Sequence, residues 1–458
     1  MKRDTKAMFA SMSPWRLFFV TALPGMISMF TMSIYSTVEG VFIGQKLGEA
    51  ALAAVNIALP VVMINFSLAD MIGVGSSAPI SIALGRKNEE TANNIFSCAM
   101  VLILLAALVM GGLMFFAAEP LVRLMGTEES VVATAAKYTR TYALFSPFTT
   151  VFFAMDNYLR ISGLVKTSML INIFSNAATI GLLVLFLLVL EMDVTGSALA
   201  ACAAMLVCAA AALYPFLRKK TLLRFVRPRF SGAILRQIGA CGAPTFLNNI
   251  ASRVTSVLMN VSLVTLGTQA LGIGGGTTAV AAYSVLMYAN DLCQPLLYGM
   301  NDALAPALGF NWGAESYSRV RKIVRCNYLG GSVVSVGASA LLFFGAETVA
   351  GLFVDSQDAQ LLTLATQALR LFSMTYLVRW FPMAAQSFLS AIGKPLHAAA
   401  LSVGVALVFP ALLLACLWQL GLNGIWMNLF GTAVLAAVMA IFLLKQVWKH
   451  TEKGETSC

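Results

Sequence analysis

The chain has 458 residues, of which 59% are hydrophobic and only 11% are charged, and its formal net charge is +10. A water-soluble fold of this length needs far more charged residues to cover its surface, so the composition excludes an ordinary soluble protein. Because about 20 apolar residues span a bilayer as a helix, the chain is long enough for a large multi-spanning membrane protein.

The N-terminal segment MKRDTKAMFASMSPWR is basic and leads into the first apolar run. It has no short apolar core followed by a small-residue cleavage site, so we interpret it as a retained tail and not as a signal peptide. We therefore expect the first apolar run to be the first membrane span.

Apolar runs that alternate with charged or Gly- and Pro-containing breaks predict twelve transmembrane helices. In chain order they cover residues 15–43, 52–83, 93–117, 132–159, 167–191, 195–217, 234–265, 277–308, 323–346, 361–391, 396–420 and 424–447. The predicted fold class is an all-α polytopic membrane protein.

The Lys and Arg residues predict the orientation of these helices. Most of the 30 basic residues lie in the N-terminal segment, in every second loop and at the C-terminus, whereas the other loops are short or acidic. Since basic loops stay on the cytoplasmic side, both termini should be cytoplasmic in the plasma (inner) membrane. The cluster RKKTLLRFVRPR (218–229) fits a linker beside anionic headgroups better than a nucleic-acid site.

The two halves of the sequence resemble each other. RLFFVTALPGM (16–26) aligns with RQIGACGAPTF (236–246), and YLRISGLVKT (158–167) aligns with FLSAIGKPLH (388–397). The offset between matched segments drifts only from 220 to 230 residues, which indicates an internal repeat. Six helices per repeat is an even number, so both repeats enter the membrane in the same direction and should enclose a central cleft.

The repeat predicts the domain organisation. We expect an N-terminal six-helix bundle over 1–217, a basic cytoplasmic linker over 218–233, a C-terminal six-helix bundle over 234–448 and a cytoplasmic tail over 449–458. Two bundles that rock about a shared cleft suit a transporter with alternating access. We expect a monomer that contacts membrane lipid and does not bind nucleic acid.

Ionisable residues inside spans should face a cavity or a partner, because a charge in the middle of a bilayer is costly. The deep acids are Glu39, Asp70, Asp156 and Asp291, and the deep bases are Arg253 and Arg379. Asp156 lies four residues before Arg160, so a structural ion pair is the favoured interpretation. Asp291 lies in the same half as Arg253 and Arg379, so the sequence favours a buried ion pair and a functional site equally. Asp156, Asp291, Arg253 and Arg379 remain candidates for the lining of the cleft.

Glu39 and Asp70 lie on consecutive helices, and neither has a basic residue within one turn. The repeat aligns Glu39 with Met259, so the acid is not a scaffold feature that both halves require. A carboxyl group at this depth can bind and release a proton, or exchange it for Na+, as a cavity opens to each side. A functional role is favoured for Glu39, with a hydrogen-bonded protonated acid as the alternative, and for Asp70 the two are evenly balanced.

Asn172 and Asn176 are spaced i, i+4 on the fifth predicted helix and so share one face. They offer neutral oxygens to a cation beside Glu39, or interhelical hydrogen bonds without an ion.

Four separated segments resemble the MATE (multidrug and toxic compound extrusion) transporters. They are EGVFIGQKLGEAALAAVNIALP (39–60), ISIALGRKNEETA (80–92), NYLRISGLVKTSMLINIFSNA (157–177) and QPLLYGMNDALAPALGFNWGAES (294–316), the last similar to a bacterial multidrug-efflux branch. The resemblance implies an antiporter of two six-helix bundles that exports amphipathic organic cations in exchange for H+ or Na+. It assigns the coupling role to Glu39 and places Asn176 near it. Family members with an acid one turn later have no match here, because that position is Ile180.

Other functions fit less well. A flippase of lipid-linked precursors has a related architecture but would need a strongly basic cavity, for which Arg253 and Arg379 are the only deep candidates. An intramembrane enzyme is disfavoured because no HExxH, GxGD or Ser/His constellation occurs. We expect no metal site, apart from Na+ at Glu39, and no cofactor, since the chain has two histidines and no CxxC motif.

Overall fold

The computed structural model describes residues 2–123, 129–354 and 359–455, and within these ranges the chain forms helices and no strand. The helices of the first half are α1 Lys2–Ser11, α2 Pro14–Leu47, α3 Glu49–Gly85, α4 Glu89–Arg123, α5 Glu129–Ile161, α6 Val165–Val184 and α7 Val194–Leu217. Those of the second half are α8 Gly232–Leu271, α9 Gly275–Gly313, α10 Tyr317–Phe344, α11 Ala346–Gly351, α12 Ala359–Ala391, α13 Pro395–Val403, α14 Phe409–Leu417 and α15 Leu422–Glu455.

Every predicted span corresponds to a long helix or, for 396–420, to the helix pair α13 and α14. In the described ranges ten helical stretches are long and apolar enough to cross a membrane. The other two predicted spans, α5 and α9, are also long helices of 33 and 39 residues, although they are not among these ten. The prediction missed α1 and the short α11, and α15 runs into the predicted tail as far as Glu455.

The internal repeat is visible in the backbone. Gly163 and Gly393, which are 230 residues apart, both have positive φ angles of 75° and 71° just beyond the ends of α5 and α12. Glycine is favoured there because a side chain strains this left-handed conformation. The fifth span of each half also contains one π-helical turn, at Leu185–Val189 and at Gly404–Val408. The two halves therefore share local backbone irregularities as well as helix order.

The described residues group into two compact units. The first contains Met1–Phe246 with Ala303–Val320 and Ala391–Gly393, and the second contains Leu247–Asp302, Arg321–Ser390 and Lys394–Cys458. In the first unit α5 packs against α3, α4 and α7. Small residues such as Ala54, Ala58 and Ala201 fill the core between these helices, which lets the backbones approach closely. The residue limits predicted for the two bundles stay a prediction.

Glycine allows two close helix crossings on α3 within the first unit. A Cβ atom on Gly242 of α8 would collide with the carbonyl oxygen of Met71, and one on Gly85 would collide with that of Phe310 on α9. Both positions therefore depend on the absence of a side chain.

The N-terminal helix α1 is held by the end of α9 and the start of α10. The Phe9 carbonyl accepts hydrogen bonds from Asn311 Nδ2 (3.0 Å) and Arg319 Nε (2.9 Å), and the Phe9 side chain is only 2% exposed. The Met12 carbonyl accepts a second bond from Arg319 Nη2. The last carbonyls of a helix lack partners within the helix, so these side chains satisfy the end of α1.

Candidate functional site

The first candidate site lies along one face of α2. Thr31, Tyr35 and Glu39 are spaced four residues apart, so they line up on the same side of the helix. Glu39 is partly buried. Because α2 is a membrane-spanning helix, a carboxyl group here needs polar partners within the protein.

Two hydroxyl groups supply those partners. Ser197 Oγ on α7 donates to Glu39 Oε1 at 3.0 Å, and the Tyr35 hydroxyl hydrogen-bonds the same carboxyl group from one turn earlier on α2. Glu39 has no ion-pair partner among the side chains that the structure describes. Hydroxyl groups can donate or accept, so this arrangement can satisfy both a carboxylate and a protonated carboxyl.

Aromatic and thiol side chains surround this pair of bonds. Tyr138 and Tyr142 of α5 and Cys202 of α7 are close enough to interact electrostatically with Glu39. Tyr138 is 1% exposed, Tyr142 is 7% exposed, and both belong to the core of the first unit. Glu39 therefore stands at the edge of a packed core that restricts water on one side of the carboxyl group.

The sequence did not predict most of the residues that surround Glu39. The i, i+4 spacing could have identified Tyr35, but Ser197 is 158 residues away from Glu39 and no local pattern connects them. Of the two predicted asparagines, Asn176 lies beside the same face of α2, where its Nδ2 donates to Thr31 Oγ1 at 3.3 Å. Its predicted role near Glu39 stays a prediction.

The other asparagine belongs to a different cluster. Asn172 Nδ2 donates to Asp156 Oδ1 at 2.8 Å, and Ser168 Oγ donates to the same oxygen. Asp156 Oδ2 lies 2.5 Å from Arg160 Nη2, and Arg160 is 2% exposed. The predicted ion pair is therefore present within α5, and the other carboxylate oxygen joins α5 to Ser168 and Asn172 of α6. Asn172 binds Asp156, and no hydrogen bond between Asn172 and Glu39 occurs among the described residues. The predicted role of Asn172 at Glu39 stays a prediction.

Asp70 is partly buried on α3 and directly precedes Met71, whose carbonyl oxygen touches Gly242 of α8. Asp70 thus lies at a helix crossing. The structure leaves its coupling role as a prediction.

The second unit has a polar cluster of its own around Arg379 on α12. Arg379 Nη1 donates to Asn290 Oδ1 at 2.9 Å, and Nη2 donates to Gln294 Oε1 at 2.9 Å, both on α9. The Tyr376 hydroxyl donates to the same Asn290 oxygen at 3.2 Å. Asp291 is exposed on α9, and its carboxylate interacts electrostatically with Arg379. Sequence reasoning found both charges but missed the amide oxygens that orient the guanidinium.

Arg253, the other deep base, is exposed on α8. Its neighbour Thr255 donates its hydroxyl to the Ala406 carbonyl in the π turn of the second half, at 2.5 Å. In the described residues no group of three or more His, Cys, Asp and Glu is arranged to hold a metal ion.

The MatE family model matches residues 24–186 and 244–413, once in each half of the chain. The chain belongs to the MATE family. The two matched stretches begin 220 residues apart, which agrees with the repeat read from the sequence. As a MATE protein the chain is a multi-spanning protein of the plasma membrane, and its family members are transporters.

Curated relatives match this MATE chain along nearly its whole length. The multidrug export protein MepA of Staphylococcus saprophyticus is 24% identical over 452 residues, with 97% of each chain covered. The probable multidrug resistance protein YoeA of Bacillus subtilis is 25% identical, covering 96% of this chain and 95% of the relative.

Solved structures show the same fold. An outward-facing multidrug resistance MATE family transporter of the MOP superfamily superposes with a TM-score of 0.88 at 22% identity, covering 98% of this chain and 99% of that chain. A MOP superfamily transporter from Pyrococcus furiosus, described as having a binding pocket of reverse polarity, gives a TM-score of 0.87 at 23% identity, with 97% and 98% coverage. These neighbours have twelve transmembrane helices in two bundles, which confirms the predicted fold class.

Proposed function

We propose that this MATE protein is a secondary active antiporter that exports amphipathic organic cations in exchange for an ion bound at Glu39. The proposed ion is H+, with Na+ as the alternative. The observation that carries the proposal is the Glu39 carboxyl group, partly buried in a membrane span and bonded to the hydroxyls of Ser197 and Tyr35 without a basic partner among the described side chains. Such a group can change its charge without losing its hydrogen bonds.

The chemistry of the first unit supports a cationic cargo. When the ion leaves Glu39, the site carries a negative charge, and opposite charges attract strongly where water is restricted. Coupling then requires only that ion and cargo stabilise opposite conformations. The names of the curated relatives, which are multidrug export and resistance proteins, agree with this cargo class.

The flippase alternative has less support. It needs free basic groups to bind pyrophosphate, whereas two N–H groups of Arg379 bind amide oxygens and Arg253 is exposed on α8.

We further propose that both termini are cytoplasmic, because the basic loops fall on one side of the predicted topology. We also propose that the protein acts as a monomer.

Transport in proteoliposomes tests the function. The purified protein would be reconstituted with a trapped cationic dye, and a pH gradient or a Na+ gradient would be imposed separately. Dye movement driven by the pH gradient without Na+ is the expected result, and movement driven only by Na+ would identify the alternative ion. Failure of both gradients would contradict antiport, and equal transport of an anionic dye of similar size would contradict the cation class.

A further inference from the structure

The segment between α7 and α8 is a basic strap, which we define as residues 218–230. It has no helix beyond the turn that ends α7, and it continues without regular secondary structure to the start of α8 at Gly232. The strap connects two membrane-spanning helices and runs beside the start of a third, α4. It therefore lies at the level where three spans leave the membrane.

Side chains of α4 hold the strap by hydrogen bonds to the backbone of the strap. Arg224 N–H donates to Asn93 Oδ1 at 2.8 Å, and Val226 N–H donates to Ser97 Oγ at 2.9 Å. Asn94 binds both backbone groups of Arg229, accepting from its N–H at 2.8 Å and donating to its carbonyl at 3.1 Å. Four hydrogen bonds from three side chains thus set the course of the strap across α4.

Burial anchors the start of the strap. Thr221 is 2% exposed, Leu222 is 3% exposed and Leu223 is fully buried. The Phe225 ring packs on Phe96 of α4 with centroids 4.9 Å apart, although Phe225 remains 40% exposed. Buried anchors and paired backbone groups fix the backbone positions from which the side chains of the strap project.

The charged side chains of the strap are all exposed. They are Arg218, Lys219, Lys220, Arg224, Arg227 and Arg229. Arg218 lies over the Tyr214 ring, and Arg229 pairs with the exposed Glu90 at 3.4 Å. The other four have no ion-pair partner among the described side chains. Val226 and Phe230, 41% and 48% exposed, stand among these charges.

We propose that the basic strap is a fixed binding surface for the anionic headgroups of the membrane leaflet in which these helix ends lie. Cations attract the headgroups, and the exposed apolar side chains can enter the boundary of the acyl chains. Basic residues that only set the orientation of the helices in the membrane need no fixed conformation. The hydrogen bonds that hold the strap on α4 therefore point to a further role, which is binding of headgroups. This proposal does not depend on the coupling ion or on the cargo.

Native mass spectrometry of the full-length protein can test it, with phosphatidylglycerol and phosphatidylcholine titrated into the same detergent. We expect the wild type to bind phosphatidylglycerol preferentially. The triple variant Lys220→Gln/Arg224→Gln/Arg227→Gln should lose about tenfold or more of that preference, since each cation near an anionic surface contributes several-fold. An equal preference in the wild type and in this variant would overturn the proposal.

A matched control separates the strap from net charge. Lys166→Gln/Lys322→Gln/Lys394→Gln removes the same charge from three exposed lysines in the first turns of α6 and α10 and just before α13, and we expect less than about a twofold change. An equal loss in the control and in the strap variant would overturn the proposal.

A second variant, Asn94→Ala, keeps every charge but releases the backbone of Arg229, and it should weaken the preference by roughly threefold because the cations lose their fixed spacing. An unchanged preference in Asn94→Ala would show that charge alone suffices and would also overturn the proposal. Size-exclusion profiles and melting temperatures would establish that each variant is folded.

Discussion

The polar cluster around Glu39 in the first unit and the cluster around Arg379 in the second unit differ in the kind of partner that each charge has. Glu39 binds the hydroxyls of Ser197 and Tyr35, which donate or accept. Arg379 binds the amide oxygens of Asn290 and Gln294, which only accept. The first cluster can adapt to a change of charge, whereas the second is built around a permanent cation, since arginine does not lose its proton in proteins.

The repeat sharpens this contrast. At the offset of 220, Glu39 corresponds to Met259, which is 1% exposed, and at the offset of 230, Arg379 corresponds to Thr149, which is fully buried. Each charge therefore has an uncharged counterpart in the other half. The shared scaffold therefore forms without a charge at either of these equivalent positions.

The largest effect should come from Glu39→Gln, which removes the carboxyl group that can change its charge. We expect gradient-driven dye efflux to fall at least about a hundredfold, near the upper limit of coupling between two sites, while the protein still reaches the membrane. Initial rates in proteoliposomes would measure this. Glu347→Gln, at an exposed acid of α11, is the matched control and should keep the wild-type rate. Normal efflux by Glu39→Gln would contradict the proposal that the coupling ion binds at Glu39.

Asp156→Asn should have the next largest effect, on stability. It leaves the buried Arg160 without its carboxylate, and such a loss costs about 3 kcal/mol or more. A lower midpoint of thermal unfolding in detergent would show this, and the double variant Asp156→Asn/Arg160→Leu should recover part of the loss. If Asp156→Asn kept its stability but lost its ion dependence, Asp156 would belong with Glu39 and not with the scaffold.

Removing one hydroxyl from the Glu39 cluster should have a smaller effect on transport. Ser197→Ala and Tyr35→Phe should each slow efflux by about tenfold, because one hydrogen bond to a charged group contributes about 1.5 kcal/mol. Ser197→Thr keeps a hydroxyl and should be much closer to the wild type. The rate of dye efflux at fixed gradients measures all three. Wild-type rates for both Ser197→Ala and Tyr35→Phe would show that the hydroxyls do not support the ion site.

Arg379→Met should have the smallest effect on ion coupling. Because the Arg379 charge is permanent, its removal should change the response to the imposed gradient by less than about threefold, although the unpaired amide oxygens should lower the melting temperature. Arg379→Lys keeps the charge and tests the loss of the two-pronged geometry alone. Loss of the gradient response in Arg379→Met, as in Glu39→Gln, would break the contrast and make the second unit part of the coupling site.

Much of the fold could be predicted from the sequence, because the bilayer imposes a local rule. Each span needs a long apolar run, so the twelve helices appear as hydropathy segments, and α5 and α9 are recognisable despite their polar residues. The repeat was also readable, since Gly163 and Gly393 mark equivalent helix ends. Glu39 stood out for the same reason, because an acid in an apolar run is conspicuous without knowledge of its neighbours.

The partners of these residues were decided only by the tertiary structure. Ser197 reaches Glu39 across 158 residues of sequence, and Asn172 binds Asp156 although it shares a helix face with Asn176. The sequence of the strap predicts a charged linker, whereas the hydrogen bonds from α4 to its backbone exist only in the folded protein. Hydropathy and charge act along the chain and are visible in one dimension, whereas a hydrogen bond depends on distances of a few ångströms between segments that only packing brings together.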